Sequence, residues 1–346
     1  MSIVVREADL EKDQQILIWF LQQHLTKQSD HRRFDWLYRN NPHGAAQAWI
    51  ATDREKEIIV GMASAFPRRF YIGGKEERGV VLGDFCISDQ YRSLGPALQL
   101  QRACLTSVDG KNKTFGYDFP SQSMISVYKR LNVKAAGQMV RLAKPLRVDR
   151  KVKKTVKVNA LYQPLTEAGN AVLSLLDRRF KQSSSASTIG LHQGVCGEEF
   201  TSLAQEVGSR YGACVQRSAD YLNWRYLAHP LYSYELVTAR RAGTLQAYAA
   251  FSETDRDAFL VDLFGIDASI IRDLAGKLVD LLRQRGVVTL SAPMMDSHPW
   301  VGVLQDLGFR KREASPVVIY LPSSQLSKSV LVESANWSLV DGDRDS

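Results

Sequence analysis

The sequence predicts a mixed α/β (α+β) chain built as two tandem modules. Strand-like and helix-like segments alternate along most of its 346 residues. A Trp-x-Tyr-x-x-x-Pro motif occurs twice, at Trp36–Pro42 and Trp224–Pro230, 188 residues apart. The same order of segments then follows each copy, the mark of an internal duplication. Length agrees, since about 100–200 residues per domain gives two domains here.

Each copy of the motif leads into a first strand, Ala48–Ala51 and Tyr234–Val237. A second apolar strand follows, Ile58–Ala65 and Gln246–Phe251. A third carries one acid: Asp84 within Val80–Ile87 and Asp262 within Phe259–Ile266. Amphipathic helices are expected at about 95–107 and 270–285, where apolar residues recur at helical spacing. Both series close on a corner, Leu131-Asn132-Val133 and Leu307-Gly308-Phe309. The offset drifts from 188 at the Trp to 178 at the Asp and 176 at the corner, as changes in loop length would make it do. The paired Trp and Tyr residues read as core packing.

Between Lys144 and Lys157 stand seven basic residues and one acid, Asp149. This run reads as a boundary, followed by a helix over Ala160–Lys181 and a serine-rich break at 183–187. The expected organisation is a first module at 1–145, a basic linker and helix at 146–187, a second module at 188–322 and a loosely held polar tail at 323–346.

The composition excludes several classes. With 45% hydrophobic and 24% charged residues the chain is globular rather than disordered. No run approaches 18 apolar residues, so no membrane span is expected. The N-terminal stretch carries acids where a signal peptide needs an apolar run, and the four cysteines form no CxxC pair. Both point to a cytoplasmic chain with reduced thiols. The formal charge of +8 is concentrated in the basic run. That run is a solvated face, a linker or a patch for a polyanion such as a phosphate-bearing cofactor or carrier protein, and without interleaved aromatics it does not suggest nucleic acid. The six histidines are dispersed and predict no metal site.

The stretch that carries chemistry is Asp84–Leu98. An apolar strand ends near Ile87, a polar turn follows, and Arg92-Ser93-Leu94-Gly95-Pro96-Ala97 leads into a helix. Pro96 suits a first helical turn, Gly95 permits close approach or positive φ, and Ala97 leaves room. Such a turn aims free backbone N–H groups and a helix dipole at one point, which favours phosphate. The same residues also suit an ordinary strand–turn–helix connection.

Residues 92–97, placed after such a strand, resemble the Arg/Gln-x-x-Gly-x-Gly/Ala signature of GNAT-superfamily acyltransferases, the loop that holds the pyrophosphate of acetyl-coenzyme A in that family. Tyr128-Lys129-Arg130-Leu131-Asn132-Val133 resembles the family's Tyr-x-x-x-Gly-Phe corner. Asn132 and Val133 depart from Gly-Phe there, although Asn tolerates left-handed backbone. The resemblance covers most of 1–145 and, more weakly, 188–322. It implies two GNAT-like modules, each a mixed, mostly antiparallel sheet flanked by helices and splayed at the cofactor site.

In family terms, Phe85, Cys86 and Ile87 would run beside the pantetheine arm, and a backbone N–H near Ile87 would stabilise charge on the thioester oxygen. Arg92, Ser93, Leu94, Gly95, Pro96 and Ala97 would hold the phosphates. Tyr128 would be the general acid for the leaving thiolate, its alternative being a packed helix-face tyrosine. Asp84 and Asp118 are the candidates for base or substrate ligand, since an acid inside an apolar strand needs a cleft or a partner. The recurrence of Asp262 allows a structural role for Asp84. The second repeat lacks the Arg-x-x-Gly-x-Ala loop and has Leu304 in place of Tyr128, so it is expected not to bind coenzyme A productively. The resulting expectation is an acetyl-CoA-dependent N-acyltransferase acting on an amine of a small molecule or sugar nucleotide, with the pocket at the module interface. The alternatives are a catalytically inactive binding module and an acyltransferase charged by aminoacyl-tRNA or an acyl carrier protein.

Overall fold

The computed structural model describes residues 2–110, 115–155, 159–178, 187–208, 210–321 and 337–345. The first half runs β1 (Ile3–Glu7), α1 (Gln14–His24), α2 (His31–Phe34), β2 (Gln47–Asp53), β3 (Ile58–Ile72), β4 (Lys75–Ile87), α3 (Leu94–Gly110), β5 (Phe115–Asp118), α4 (Gln122–Arg130) and β6 (Ala135–Pro145). Two helices follow, α5 (Asp149–Thr155) and α6 (Asn159–Arg178). The second half runs β7 (Ser187–Leu191), α7 (Glu198–Gly208), β8 (Ala213–Val215), α8 (Ala219–Leu222), β9 (Glu235–Arg241), β10 (Thr244–Thr254), β11 (Asp257–Gly265), α9 (Ala268–Gln284), β12 (Thr289–Met295), α10 (Val301–Asp306) and β13 (Arg310–Tyr320). Each copy of the Trp-x-Tyr motif forms a π-helical turn, Asp35–Arg39 after α2 and Asn223–Leu227 after α8.

The patterning explains these elements. In α9 the residues Ile270, Ile271, Leu274, Ala275, Leu278, Val279 and Leu282 form one buried stripe, and Asp267 caps the helix by accepting the Ile270 N–H. In β3, Val60–Phe66 is buried without interruption, as in a strand covered on both faces. Asn132 and Gly308, at equivalent corners before β6 and β13, both take positive φ, 57° and 88°. Asn therefore preserves the turn that Gly makes in the second half.

One departure from two separate sheets governs the rest. The strand order is β1-β2-β3-β4-β5-β13-β6-β12-β11-β10-β9-β7. It reads the same from either edge if each strand is matched with its repeat counterpart. The last strand of each half leaves its own half: β13 pairs antiparallel with β5, and β6 pairs antiparallel with β12 from Thr289↔Pro145 to Met295↔Met139. β6 and β13 also pair with each other, so one continuous sheet crosses the boundary expected at 145. The fall in offset from 188 to 178 also has a cause. The first half's β3–β4 hairpin is longer, and its end, Phe70–Ile72, pairs with β8 of the second half.

Two further expectations are corrected. The basic run is not a free linker patch. Lys144 is buried on β6, where it meets Asp177 and donates to the Leu307 carbonyl. Arg147 and Arg256 share Asp149, and Arg150 pairs with Asp257. These pairs take up Lys144, Arg147 and Arg150, leaving Lys151 and Lys153 exposed, while Lys157 lies outside the described residues. The tail over 337–345 is not loosely held either. Trp337 is fully buried against Phe70 and Phe115, Leu339 and Val340 are buried, and the Ser338 N–H donates to the Ala213 carbonyl. Residues 323–336 lie outside the described residues.

Candidate active site

β4 and β5 are parallel and pair at only three positions, from Gly79↔Phe115 to Val81↔Tyr117. β4 runs on to Ile87 while β5 ends at Asp118, so the sheet opens into a wedge beside the start of α3. A cavity of about 490 Å³ lies there. It is lined by Phe85, Cys86 and Ile87 from β4, by Arg92, Ser93 and Ala97 at the helix start, and by Ser121, Ser123, Met124 and Val127 from α4 and its approach. The structure thus brings six of the expected cofactor residues onto one wall. Leu94, Gly95 and Pro96 form the first turn of α3 beside it. Gly95 does not take positive φ. A Cβ built there would meet no protein atom within 4 Å, so its use is the open space left above a helix N-terminus. Arg92 is exposed and pairs with Asp89 at 2.8 Å. Burial pushes the Cys86 thiol far up, which removes it as a nucleophile.

A second cavity, of about 400 Å³, meets the first at Leu25, Phe85, Ser121 and Met124. Its walls include Arg33, Trp36, Asp84, Gln101, Asp118 and Asp345, and from the second half His229, Leu231 and Tyr232. His229 stays neutral, pushed down to about 3 by burial and by Arg225 and Arg33.

The three expected catalytic residues occupy different settings. Asp84 sits in a β-bulge, where the β3–β4 register passes from Met62↔Cys86 to Ser64↔Gly83 and two residues of β4 oppose Ala63. Its φ is +45°, a strained value for a residue with a side chain. Both carboxylate oxygens are occupied, by Arg33 at 2.8 Å each and by the Tyr38 hydroxyl at 2.7 Å. The group is 3% exposed. This is the geometry of a fixed ion pair that shapes the strand, not of a carboxylate open to a substrate. Asp118 ends β5 and is half-buried at the cavity wall. Burial, opposed by a hydrogen bond from Tyr128 and reinforced by the charge of Asp345, pushes its carboxyl up to about 7. Tyr128, on α4, is 1% exposed. Its hydroxyl donates to Asp118 at 2.7 Å and accepts from Gln101 at 3.0 Å. Tyr128 lies behind Asp118 and is not among the residues lining either cavity.

The second half repeats the framework with a smaller opening. Asp262 is buried and bound by Arg217, Tyr226 and Tyr248. Tyr38 and Tyr226, equivalent residues of the Trp-x-Tyr motif, thus reach equivalent acids. Leu304 is fully buried in place of Tyr128. At the start of α9 the Asp267 carboxylate accepts the Ile270 N–H at 2.9 Å and places a negative charge where a phosphate would sit. Tyr211 and Trp300 line a smaller cavity of about 270 Å³ beside Gly265 and Ile266, and His298 packs against both rings.

Sequence reasoning missed Arg33, Gln101, Ser121 and Asp345. Gln101 faces inward on a predicted helix, a legible signal; Asp345 lies in a polar stretch that reads as solvent-exposed.

No family model matches the sequence, and no curated protein matches it. Solved structures do match in fold. A conserved protein of unknown function from Enterococcus faecalis V583, described as a "probable N-acyltransferase", superposes at a TM-score of 0.68 with 10% identity over 93% of this chain and 72% of that one. A GCN5-related N-acetyltransferase from Anabaena variabilis gives 0.65 with 12% identity, over 92% and 72%. Saccharomyces cerevisiae N-myristoyltransferase with bound myristoyl-CoA gives 0.57 with 12% identity, over 92% and 79%. The chain has the GCN5-related acyltransferase fold.

Proposed function

We propose that the protein is an N-acyltransferase that takes its acyl group from an acyl-coenzyme A, acetyl-CoA in the first instance, and passes it to an amine. The observation that carries this reading is the meeting of two cavities at Phe85, Ser121 and Met124. One leads to the open N-terminus of α3, and the other holds a carboxyl poised near neutrality.

The residues fit an anionic, extended donor in the first cavity. The first turn of α3 offers backbone N–H groups, Gly95 offers clearance, and Arg92 offers charge that Asp89 holds loosely at the surface. Beyond Val81 no β5 partner covers β4, so apart from the Asp84 N–H, which Asp345 accepts, its unpaired edge offers N–H groups to the donor arm and to charge developing on an acyl oxygen. The donor supplies the acyl group as a thioester.

Asp118 is the base in this reading. With a carboxyl near 7 it takes a proton from an ammonium more readily than an ordinary Asp. Tyr128 completes a relay: as the amine attacks and the carbon–sulfur bond breaks, its hydroxyl proton passes to the sulfur and is replaced by the one Asp118 collected, which frees Asp118 to take the second proton from the attacking nitrogen and release it to water. For that step the hydroxyl must turn from Asp118 toward the cavity. Asp84 is a positioning residue that holds the bulge through Arg33 and Tyr38.

Isothermal titration with acetyl-CoA, followed by thiol release over a panel of amines, tests the proposal. Binding and amine-dependent thiol release are expected. A folded sample that binds neither acetyl-CoA nor a longer acyl-CoA at millimolar concentration would overturn it.

A further inference from the structure

The C-terminal segment reaches the second cavity by a route that several buried donors hold in place. Arg225 Nε donates to the Gly342 carbonyl at 2.8 Å, the Tyr117 hydroxyl to the Asp343 carbonyl at 2.7 Å, and Arg68 to the Arg344 carbonyl at 3.4 Å. Arg217 grips both oxygens of the Asp343 carboxylate at 3.0 Å. All four donor residues are 2% exposed or less. The segment is therefore a strap with a set register, and the next residue, Asp345, is delivered into the cavity wall. Its Oδ2 accepts the Asp84 N–H at 3.1 Å, across 261 residues of sequence. Gly83 makes that approach possible, because a Cβ there would lie 1.9 Å from Oδ2.

The charges around this wall are unequal. Asp84 is neutralised by Arg33 and Asp343 by Arg217. Among the described residues, no Lys or Arg is paired with Asp345. The lining residues offer no uncommitted cation, since Arg33 spends both terminal nitrogens on Asp84 and His229 is neutral. Asp118 and Asp345 thus give the cavity two carboxyl groups beyond the Arg33–Asp84 pair, and Trp36, Leu231 and Tyr232 give it apolar and aromatic surface. Arg33 is the cation whose charge reaches Asp345, and it is already paired with Asp84, so a second carboxylate beside it is costly unless another cation joins it.

We infer that Asp345 is the acceptor's ammonium ligand, and that the acceptor is a small cationic amine with an apolar body and no carboxylate or phosphate near its reacting nitrogen. This rests on the cavity being the acceptor site of the proposed acyltransferase. The alternative acceptor considered from sequence, a sugar nucleotide, would bring phosphates against Asp118 and Asp345 with no free cation to receive them.

Calorimetric titration of the full chain with 1,4-diaminobutane, n-butylamine and 4-aminobutyrate tests the inference without requiring turnover. The two amines should bind at least about tenfold more tightly than 4-aminobutyrate. Asp345→Asn should weaken both by about tenfold or more and narrow their advantage over 4-aminobutyrate, with acetyl-CoA affinity unchanged. Gly83→Ala, which displaces the carboxylate without altering it, should act in the same direction and guards against misfolding of the first variant. Equal or tighter binding of 4-aminobutyrate, or amine affinity unmoved in both folded variants, would overturn the inference. Failure of acetyl-CoA binding while amines still bind through Asp345 would sink the acyltransferase reading alone.

Discussion

Trp36 and Trp224 stack with ring centroids 4.7 Å apart, and each indole donates to the other's backbone carbonyl, at 2.8 and 2.9 Å. The exchange is reciprocal, and the two residues hold the same place in the two copies of the Trp-x-Tyr-x-x-x-Pro motif. It places a local two-fold relation between the two π-helical turns and ties the halves together beside the second cavity, which Trp36 lines. Replacing either indole should therefore have matched consequences. Trp36→Phe and Trp224→Phe each leave one buried carbonyl without its donor and should each cost about 1–3 kcal/mol, while either change to Ala should cost about 3–5 kcal/mol. Urea unfolding checks this, and a large asymmetry between the two sites would contradict the relation.

Gly95→Glu should abolish acetyl-CoA binding while leaving the fold intact. The added side chain enters space free of protein atoms, so no clash is built in. A carboxylate at the start of α3 opposes anion binding there, as Asp267 does at the start of α9. Gly95→Ala gives the control for volume without charge. Calorimetric titration with thermal unfolding alongside separates the two effects; binding that survives in Gly95→Glu would show that the loop does not hold the phosphates.

Much of this arrangement was legible in the sequence because it is local. The Arg92–Ala97 turn, the acid in each third strand and the Asn132 corner all follow from spacing and residue type. The exchange of β6 and β13 was not, since both strands satisfy the same period-two pattern on either side of the sheet. Nor was the role of Tyr38 and Tyr226, whose hydroxyls reach acids 46 and 36 residues away. The strap was hidden for a different reason. Asp341–Asp345 is polar, and polarity marks solvent unless buried arginines lie opposite, which only the fold brings about.

The pH dependence follows from Asp118. If Asp118 is the base, its carboxyl near 7 makes it active once deprotonated, and kcat/KM should rise as pH increases through about 7. The two neighbours act in opposite senses. The Tyr128 hydrogen bond lowers the Asp118 carboxyl and the Asp345 charge raises it. Tyr128→Phe should therefore move the acid limb to higher pH and Asp345→Asn to lower pH. If Tyr128 also passes its proton to sulfur, Tyr128→Phe should lower kcat at the plateau as well; a shifted limb with an unchanged plateau would limit it to positioning Asp118. The same raised carboxyl bears on stability. A group protonated more readily when folded contributes stability below its ordinary value near 4, lost as pH climbs through about 7.

The strap carries two acids with different tasks, and stability measurements should separate them. Asp343 is 1% exposed, and both its oxygens take part in a buried network in which Arg217 is held between Asp343 and Asp262. Asp343→Ala removes one of two counter-charges from a guanidinium that has no access to water, and should cost about 3–5 kcal/mol. Asp345 has no such partner. Its carboxyl is pushed up by burial and by the charge of Asp84, so folding already works against its ionised form. Asp345→Asn should leave stability unchanged or raised near neutral pH, since the amide takes the same space without the charge. Urea unfolding of the two variants side by side gives the comparison. A comparable loss in both would mean that Asp345 belongs to the framework, and the amine-binding role would then have to be withdrawn.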